Sequence, residues 1–203
     1  MAADDRLRRV LDVAGALGLL AVSMPVLAGG ALAVLLLSGR PVFYGHRRVG
    51  LGGRPFHCWK LRTMEVGAER ALKADGEMRH HWVSNGYKVP GDPRRTRAGR
   101  WLRRTYVDEL PQLFNVLNGT MSLVGPRPVV EDELHEFGDG ADELLALRPG
   151  IFGAWNSRGP DRPAYPERAR VELEYVRTRS LRRDAAILLS SVPVVLRGHH
   201  EDA

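Results

Sequence analysis

The sequence predicts a helix-rich mixed α/β chain with a membrane-inserted N-terminus, and three observations predict it. An apolar run without charge extends from Val13 to Leu37. Two short aromatic and apolar segments, "PVFY" and "PFHCWKL", flank the Gly-rich turn "GLGG". Leu110, Leu113, Phe114 and Leu117 repeat at helical spacing, ahead of a short apolar stretch stopped by Gly-Pro-Arg-Pro. The 203 residues suffice for one domain with its own core. Thirty Lys+Arg against 24 Asp+Glu give a formal charge of +6, which suits an anionic membrane surface, a phosphorylated substrate or a nucleic acid. Cys58 is the only cysteine, so no internal disulfide can form, in keeping with a reducing compartment.

The apolar run exceeds the roughly 20 residues that carry a helix across a bilayer core. A spanning helix is one reading. A secretory signal is a second, since Val26-Leu27-Ala28 resembles a cleavage site, although the apolar run continues past it. The third is a re-entrant helix. Pro25 stands at the middle of the run, where it removes a helical hydrogen bond and breaks or bends the helix. Ser23 is placed to satisfy a carbonyl freed there. Arg6, Arg8 and Arg9 precede the run and Arg40, Arg47 and Arg48 follow it, and basic flanks favour the cytoplasmic side at both ends.

The next elements are the two short strands. Lys60 and Arg62 alternate with Trp59 and Leu61, so both basic groups share one face, either solvated or in contact with phosphate. Cys58 reads as a small core residue. From Met64 to Gly99 the chain is polar and carries Gly86, Pro90, Gly91 and Pro93, which predicts a helix and then a long loop. His80-His81 and His199-His200 lack partners at metal-ligand spacing and are expected to be exposed. "DPRRTRAGRWLRRT" is densely basic, fit to coat an anionic surface or to line a phosphate site.

Asp108 precedes the helical repeat as a natural N-cap, Pro111 falls in the first turn, and Gly119 closes the helix. Asp108 and Glu109 are thus expected at the positive end of a helix, where carboxylates stay ionised and phosphate is attracted. "SLV" reads as a strand, after which Pro126 and Pro128 hold Arg127 stiffly, an arrangement suited to bidentate phosphate binding. The acidic run from Glu131 to Glu143 reads as a solvated helix face. "RPGIFGAWNSRGP" is a Gly/Pro loop around Trp155. Two helical segments follow, the last rich in Arg and in Ile, Leu and Val, a composition shared by interfacial and core helices.

These segments together resemble the bacterial sugar transferase family, the monotopic phosphoglycosyl transferases that prime exopolysaccharide, O-antigen and glycoprotein glycan assembly. The resemblance runs nearly end to end and is most specific in "VDELPQLFNVLNG" and "GPRP". It implies transfer of a sugar-1-phosphate from a UDP-sugar to polyprenyl (undecaprenyl) phosphate with release of UMP, with Asp108 as nucleophile and Glu109 helping to hold Mg²⁺. Lys60, Arg62, Arg104 and Arg127 would bind substrate phosphates, and Arg148, Trp155 and Arg158 would belong to the nucleotide-sugar loop. Residues 1–38 would form a basic N-terminus and a re-entrant helix broken at Ser23 and Pro25, 39–160 the catalytic domain, and 161–203 interfacial helices. The implied location is the cytoplasmic face of the inner membrane. Thr120 stands where the family usually has aspartate, and Phe152 to Pro160 depart from its usual Thr-Gly-Leu-Trp-Gln-Val and Gly-Arg, so that Arg158 is the expected substitute for a missing arginine.

Other classes fit less well. The two carboxylates of a glycoside hydrolase flank a sugar bond several ångströms apart, which neighbours in sequence do not. A nucleic-acid-binding module needs no long apolar run, and no recognition motif occurs, so no nucleic acid is expected. A non-catalytic membrane scaffold on the same fold is the alternative, against which the intact Asp108, Glu109 and Arg127 argue. The residues do not set the oligomeric state; a homodimer is among the assemblies they allow.

Overall fold

A computed structural model describes residues 2–85, 87, 89 and 91–198; Gly86, Pro90 and the His199-His200 pair lie outside the described residues. The first helix, α1, runs from Ala2 to Ser38. Its inward side is one stripe, Asp12, Ala16, Leu20, Leu27, Gly30 and Val34, at the three- and four-residue spacing of a helix face. The outward side is apolar and bare, with Val22 82% and Leu36 72% exposed. The expected break at Pro25 is corrected: the helix is uninterrupted, with Pro25 on its exposed side. Ser23 does not serve a freed carbonyl but donates to Leu19 O, four residues back, at 2.6 Å.

Polar ties fasten both ends of α1 to the rest of the chain. Near its start, Asp12 accepts from Ser122 Oγ at 2.8 Å and from the Leu123 amide at 2.8 Å. Arg9 donates to the carbonyls of Val116 and Leu117 at 2.6 and 2.9 Å. Arg8 meets Asp184 at 3.0 Å. At its end, Arg62 donates to the carbonyls of Ser38 and Gly39. Between these ties Gly30 sits against Leu61, Leu102 and Val107, where a side chain would collide.

The predicted strands form an antiparallel pair, β1 (Phe43–Val49) and β2 (Pro55–Leu61), in which Tyr44 lies opposite Lys60. The turn is the predicted Gly-rich one, with Gly52 and Gly53 at positive φ. The polar segment holds two helices instead of one, α2 (Ala68–Ala74) and α3 (Gly76–Ser84). Asp75 separates them by accepting from the Met78 amide, a side-chain cap that restarts the helix. His80 and His81 are exposed on α3. Thr96 caps α4 (Arg97–Arg104) by accepting from the Gly99 amide. Only glycine fits at 99, since a Cβ there would stand 2.0 Å from Thr63 O.

The helix after Asp108, α5, is short, Gln112–Leu117, and Gly119 follows it at φ 82°. Asn115 within it is 1% exposed and joins three elements. Its Oδ1 accepts from the Trp59 amide at 2.9 Å, and its Nδ2 donates to His57 O at 2.8 Å and to Thr120 Oγ1 at 2.9 Å. Thr120 thus supplies an acceptor oxygen where the family usually has aspartate. The predicted strand is β3 (Ser122–Val124), and it pairs in parallel with β4 (Gly150–Phe152), a strand within the segment read as loop.

The acidic run departs from a solvated helix face. It holds a 3₁₀ segment, Glu131–Gly140, and α6 (Ala141–Leu145). Glu133 within it is buried between Arg48 at 3.2 Å and Arg168 at 3.0 Å. The last helices are α7 (Glu167–Thr178) and α8 (Leu181–Arg197). Their Tyr175 and Ile187 share a core with Ala16 and Leu20 of α1 and with Leu113, Met121 and Cys58. α8 also leaves Leu189, Val192 and Leu196 exposed, so it has both a core face and a bare apolar face. Cys58 is a core residue as expected, and burial pushes its thiol pKa up.

Asp12→Ala should strip Ser122 Oγ and the Leu123 amide of their buried acceptor. We expect a loss of about 2–3 kcal/mol, read as a lower Tm in detergent, with limited proteolysis opening first near β3. An unchanged Tm would show that apolar packing alone holds α1.

Candidate active site

A cleft of about 1140 Å³ opens between α1, the β1–β2 pair and the α2–α3 segment. Lys60, Arg103, Asp108, Glu109, Arg127, Trp155 and Asn156 all line it. Leu19 and Ser23 of α1 and Val194 of α8 also line it, so it reaches the apolar helices.

Asp108 is not a helix cap. It lies in a separate 3₁₀ turn, Val107–Glu109, entered through Tyr106 at φ 56°, and α5 begins only after Pro111 with no side-chain cap. The dipole of a six-residue helix that starts beyond Pro111 does not set its charge state. Burial does. Asp108 is 5% exposed, and its pKa is pushed up to about 6. Burial is the main cause; the Lys60 charge opposes it, the Glu109 charge adds to it, and Arg103 opposes it again. Glu109 shares the strain with Lys60, whose Nζ is 2.7 Å from Glu109 Oε1.

A cationic group within the cleft is built on Trp155. Its indole is 4% exposed and donates to Pro163 O at 2.7 Å. Three guanidinium groups surround the ring: Arg168 at 4.5 Å, Arg162 at 4.9 Å and Arg127 at 5.4 Å from its centroid. Arg127 Nη1 also reaches Asn156 Oδ1 at 3.5 Å.

The structure thus brings Lys60, Asp108, Glu109, Arg127 and Trp155 to one cleft, as read from the sequence. It places four arginines differently. Arg62 lines the cleft, but it is 5% exposed and its guanidinium serves the carbonyls at the end of α1. Arg104 is exposed and absent from the cleft lining, because the turn of α4 directs its neighbour Arg103 there instead. Arg103 donates to Thr63 Oγ1 at 3.0 Å and faces Asp108. Arg148 is exposed and tied to Gly119 O at 2.8 Å. Arg158 is exposed outside the cleft, and Arg162, two residues past the loop, reaches Trp155 instead. Arg103 and Asn156 lay inside quoted motifs and helical spacing would have singled out Arg103; Arg162, beyond the loop, carried no local signal.

Among the described residues no three His, Cys, Asp or Glu side chains form a metal cluster. Glu109, the more exposed neighbour of Asp108, is of the residue type that commonly holds Mg²⁺ together with substrate phosphate.

A buried carboxylate and its half-buried neighbour stand among cationic side chains in a cleft lined in part by the apolar helices, an arrangement chemically suited to phosphoryl groups. Comparison with known proteins agrees. The sequence model of the family described as bacterial sugar transferase matches residues 3–198. The chain is 40% identical over 195 residues to the UDP-galactose-lipid carrier transferase of Erwinia amylovora, covering 94% of this chain and 40% of that protein. It is 41% identical over 161 residues to the exopolysaccharide production protein ExoY of Sinorhizobium fredii, covering 77% of this chain and 71% of that one. It is 39% identical over 200 residues to the UDP-glucose:undecaprenyl-phosphate glucose-1-phosphate transferase of Caulobacter vibrioides, covering 95% and 70%. The chain belongs to the bacterial sugar transferase family. It spans about two fifths of the length of some of these relatives.

Asp108→Asn should raise stability at neutral pH. A carboxyl whose pKa is higher folded than unfolded favours folding when protonated, and that advantage is lost as pH rises from about 4 to about 6. Above pH 6 the wild type carries the full cost, up to roughly 3 kcal/mol for about two pH units, which asparagine avoids. Tm of both proteins measured from pH 4 to 8 should diverge with rising pH; parallel curves would show that Asp108 is not strained.

Proposed function

We propose that this chain transfers a sugar-1-phosphate from a UDP-sugar to polyprenyl (undecaprenyl) phosphate, releasing UMP, through a covalent intermediate on Asp108, as the first membrane step of surface glycan assembly. The observation that carries this reading is Asp108 itself, buried in a cationic cleft that reaches the apolar helices. The names of the Erwinia and Caulobacter relatives point the same way.

In the first step a carboxylate oxygen of Asp108 attacks the sugar-proximal phosphorus. The bond from that phosphorus to the bridging oxygen breaks, and UMP leaves with the electron pair. In the second step an ionised oxygen of polyprenyl phosphate attacks the same phosphorus, and the Asp108 carboxylate is released unchanged. Neither step consumes a proton, so no general base is required. Arg127, Lys60 and Arg103 would face the charge of the phosphoryl groups, and Trp155 with Asn156 would orient the nucleotide end. Glu109 would help to hold Mg²⁺, which when bound neutralises charge on the diphosphate. Division into two steps suits a site shared by a soluble donor and a lipid acceptor, because UMP can depart before the lipid enters.

The fastening of α1 supports a re-entrant or in-plane helix. Arg9 and Asp12 near its start and Ser38 at its end are tied to one and the same domain. A helix that crossed the roughly 30 Å hydrocarbon core would separate these ends. The catalytic domain would then lie on the cytoplasmic face of the inner membrane, with the bare faces of α1 and α8 in lipid.

Four measurements test this reading. Labelled UDP-sugar without lipid should leave sugar-phosphate on the Asp108 peptide, detected by mass spectrometry, and Asp108→Asn should abolish both adduct and turnover. Intersecting initial-rate lines with no adduct would favour direct transfer. Excess EDTA should stop turnover, and Arg127→Lys should lower kcat/KM about tenfold or more, because lysine lacks the bidentate fork. For topology, single cysteines at Asp4 and Arg54 on a Cys58→Ala background should both resist an impermeant reagent applied to spheroplasts. Labelling at Asp4 alone would show a spanning helix.

A further inference from the structure

The Pro126-Arg127-Pro128 turn has a single backbone N–H, that of Arg127, since proline has none. Few bonds therefore fix its place. Pro126 O accepts from the Gly150 amide at 2.8 Å, and Pro128 O from Arg48 Nη1 at 3.1 Å. The one N–H donates to Glu172 Oε1 at 3.3 Å. Glu172 stands on α7, is 1% exposed and is not among the residues that line the cleft. Its Oε2 is buried without a hydrogen-bond partner.

A buried acid with a bare oxygen is a costly way to fill space, where leucine would pack at no such cost. Burial pushes Glu172 up to about 7; Arg168 and the amide and charge of Arg127 oppose this, and Glu133 adds to it. The oxygen that is satisfied is the one on Arg127.

We propose that Glu172 is a positioning residue for Arg127. Its Oε1 holds the only amide of the Pro-Arg-Pro turn and so places the guanidinium beside Trp155 and Asn156, where the donor's diphosphate would lie. This rests on the reading above that Arg127 contacts that diphosphate. Without the acceptor the turn keeps only its two carbonyl bonds, and the guanidinium loses its alignment.

The test is a double-mutant cycle on UDP binding, measured by calorimetry on the full chain in detergent. Glu172→Leu should weaken UDP binding about tenfold, with Glu172→Met taking its place if the leucine variant does not fold. Glu172→Gln keeps an acceptor oxygen and should bind UDP within about twofold of wild type. In an Arg127→Ala background, Glu172→Leu should add nothing to the loss, because the group it positions is gone. Wild-type affinity in folded Glu172→Leu, or an equal loss with and without the Arg127 side chain, would overturn the inference. Wild-type protein that binds UDP yet forms no lipid-linked product from any UDP-sugar would overturn the transferase reading instead, while the cycle still decides the role of Glu172.

Discussion

The buried contact between Asp12 and the Ser122-Leu123 segment is the constraint on which the arrangement depends. Asp12, the last charged residue before the apolar run of α1, accepts from a hydroxyl and an amide of β3. Charge-assisted bonds out of water are strong and directional. This one sets the rotation of α1, and the rotation decides which residues face inward. Ala16, Leu20, Leu27, Gly30 and Val34 follow on the same stripe. The remaining apolar surface then faces away from the domain. A helix that is hydrophobic all round has no preferred face of its own, so a polar tie is needed to give it one.

The same helix forms part of the cleft wall through Leu19 and Ser23, which couples the apolar surface to the site. Within the cleft the charges are arranged against one another at the expense of stability. Asp108 is buried beside Glu109, and Lys60 and Arg103 offset only part of the cost. A carboxylate held near neutrality in this way is reactive when ionised and still accessible to protons near the working pH of a cell. Residues behind Trp155 and Arg127 do comparable work: Glu133 binds Arg48 and Arg168, Arg168 stacks on Trp155, and Arg48 holds Pro128 O. The acidic segment that supplies Glu133 is therefore a scaffold for the cationic half of the site.

Local chemistry was legible in the sequence wherever a few consecutive residues determine it. The Gly-rich turn, the two strands around it, the strand before Gly-Pro-Arg-Pro and the glycine after α5 all stand where the residues place them. Asp108, Glu109, Lys60, Arg127 and Trp155 were legible too, because each sits in a motif whose composition is hard to explain otherwise. The reason given for Asp108 was wrong in kind. Sequence spacing suggested a cap on a helix dipole, whereas the turn ends before the helix begins and burial controls the acid.

What the sequence determined by itself is thus the acidic pair with Lys60, Arg127 and Trp155 and the existence of a long apolar helix, since both follow from residue type and short-range spacing. Tertiary structure alone decided which arginines present their charge to the site rather than to backbone carbonyls or solvent. Arg62, Arg104, Arg148 and Arg158 are as basic as Arg103 and Arg162, and only packing assigns the first four to capping or solvent and the last two to the site. It also decided that Pro25 sits inside a continuous helix, because contacts on both sides of the proline, Leu20 before it and Leu27 after it, hold both halves against the domain. A long flexible charge and a single lost hydrogen bond have no fixed consequence until distant segments surround them, and those contacts are not encoded at any one position of the chain.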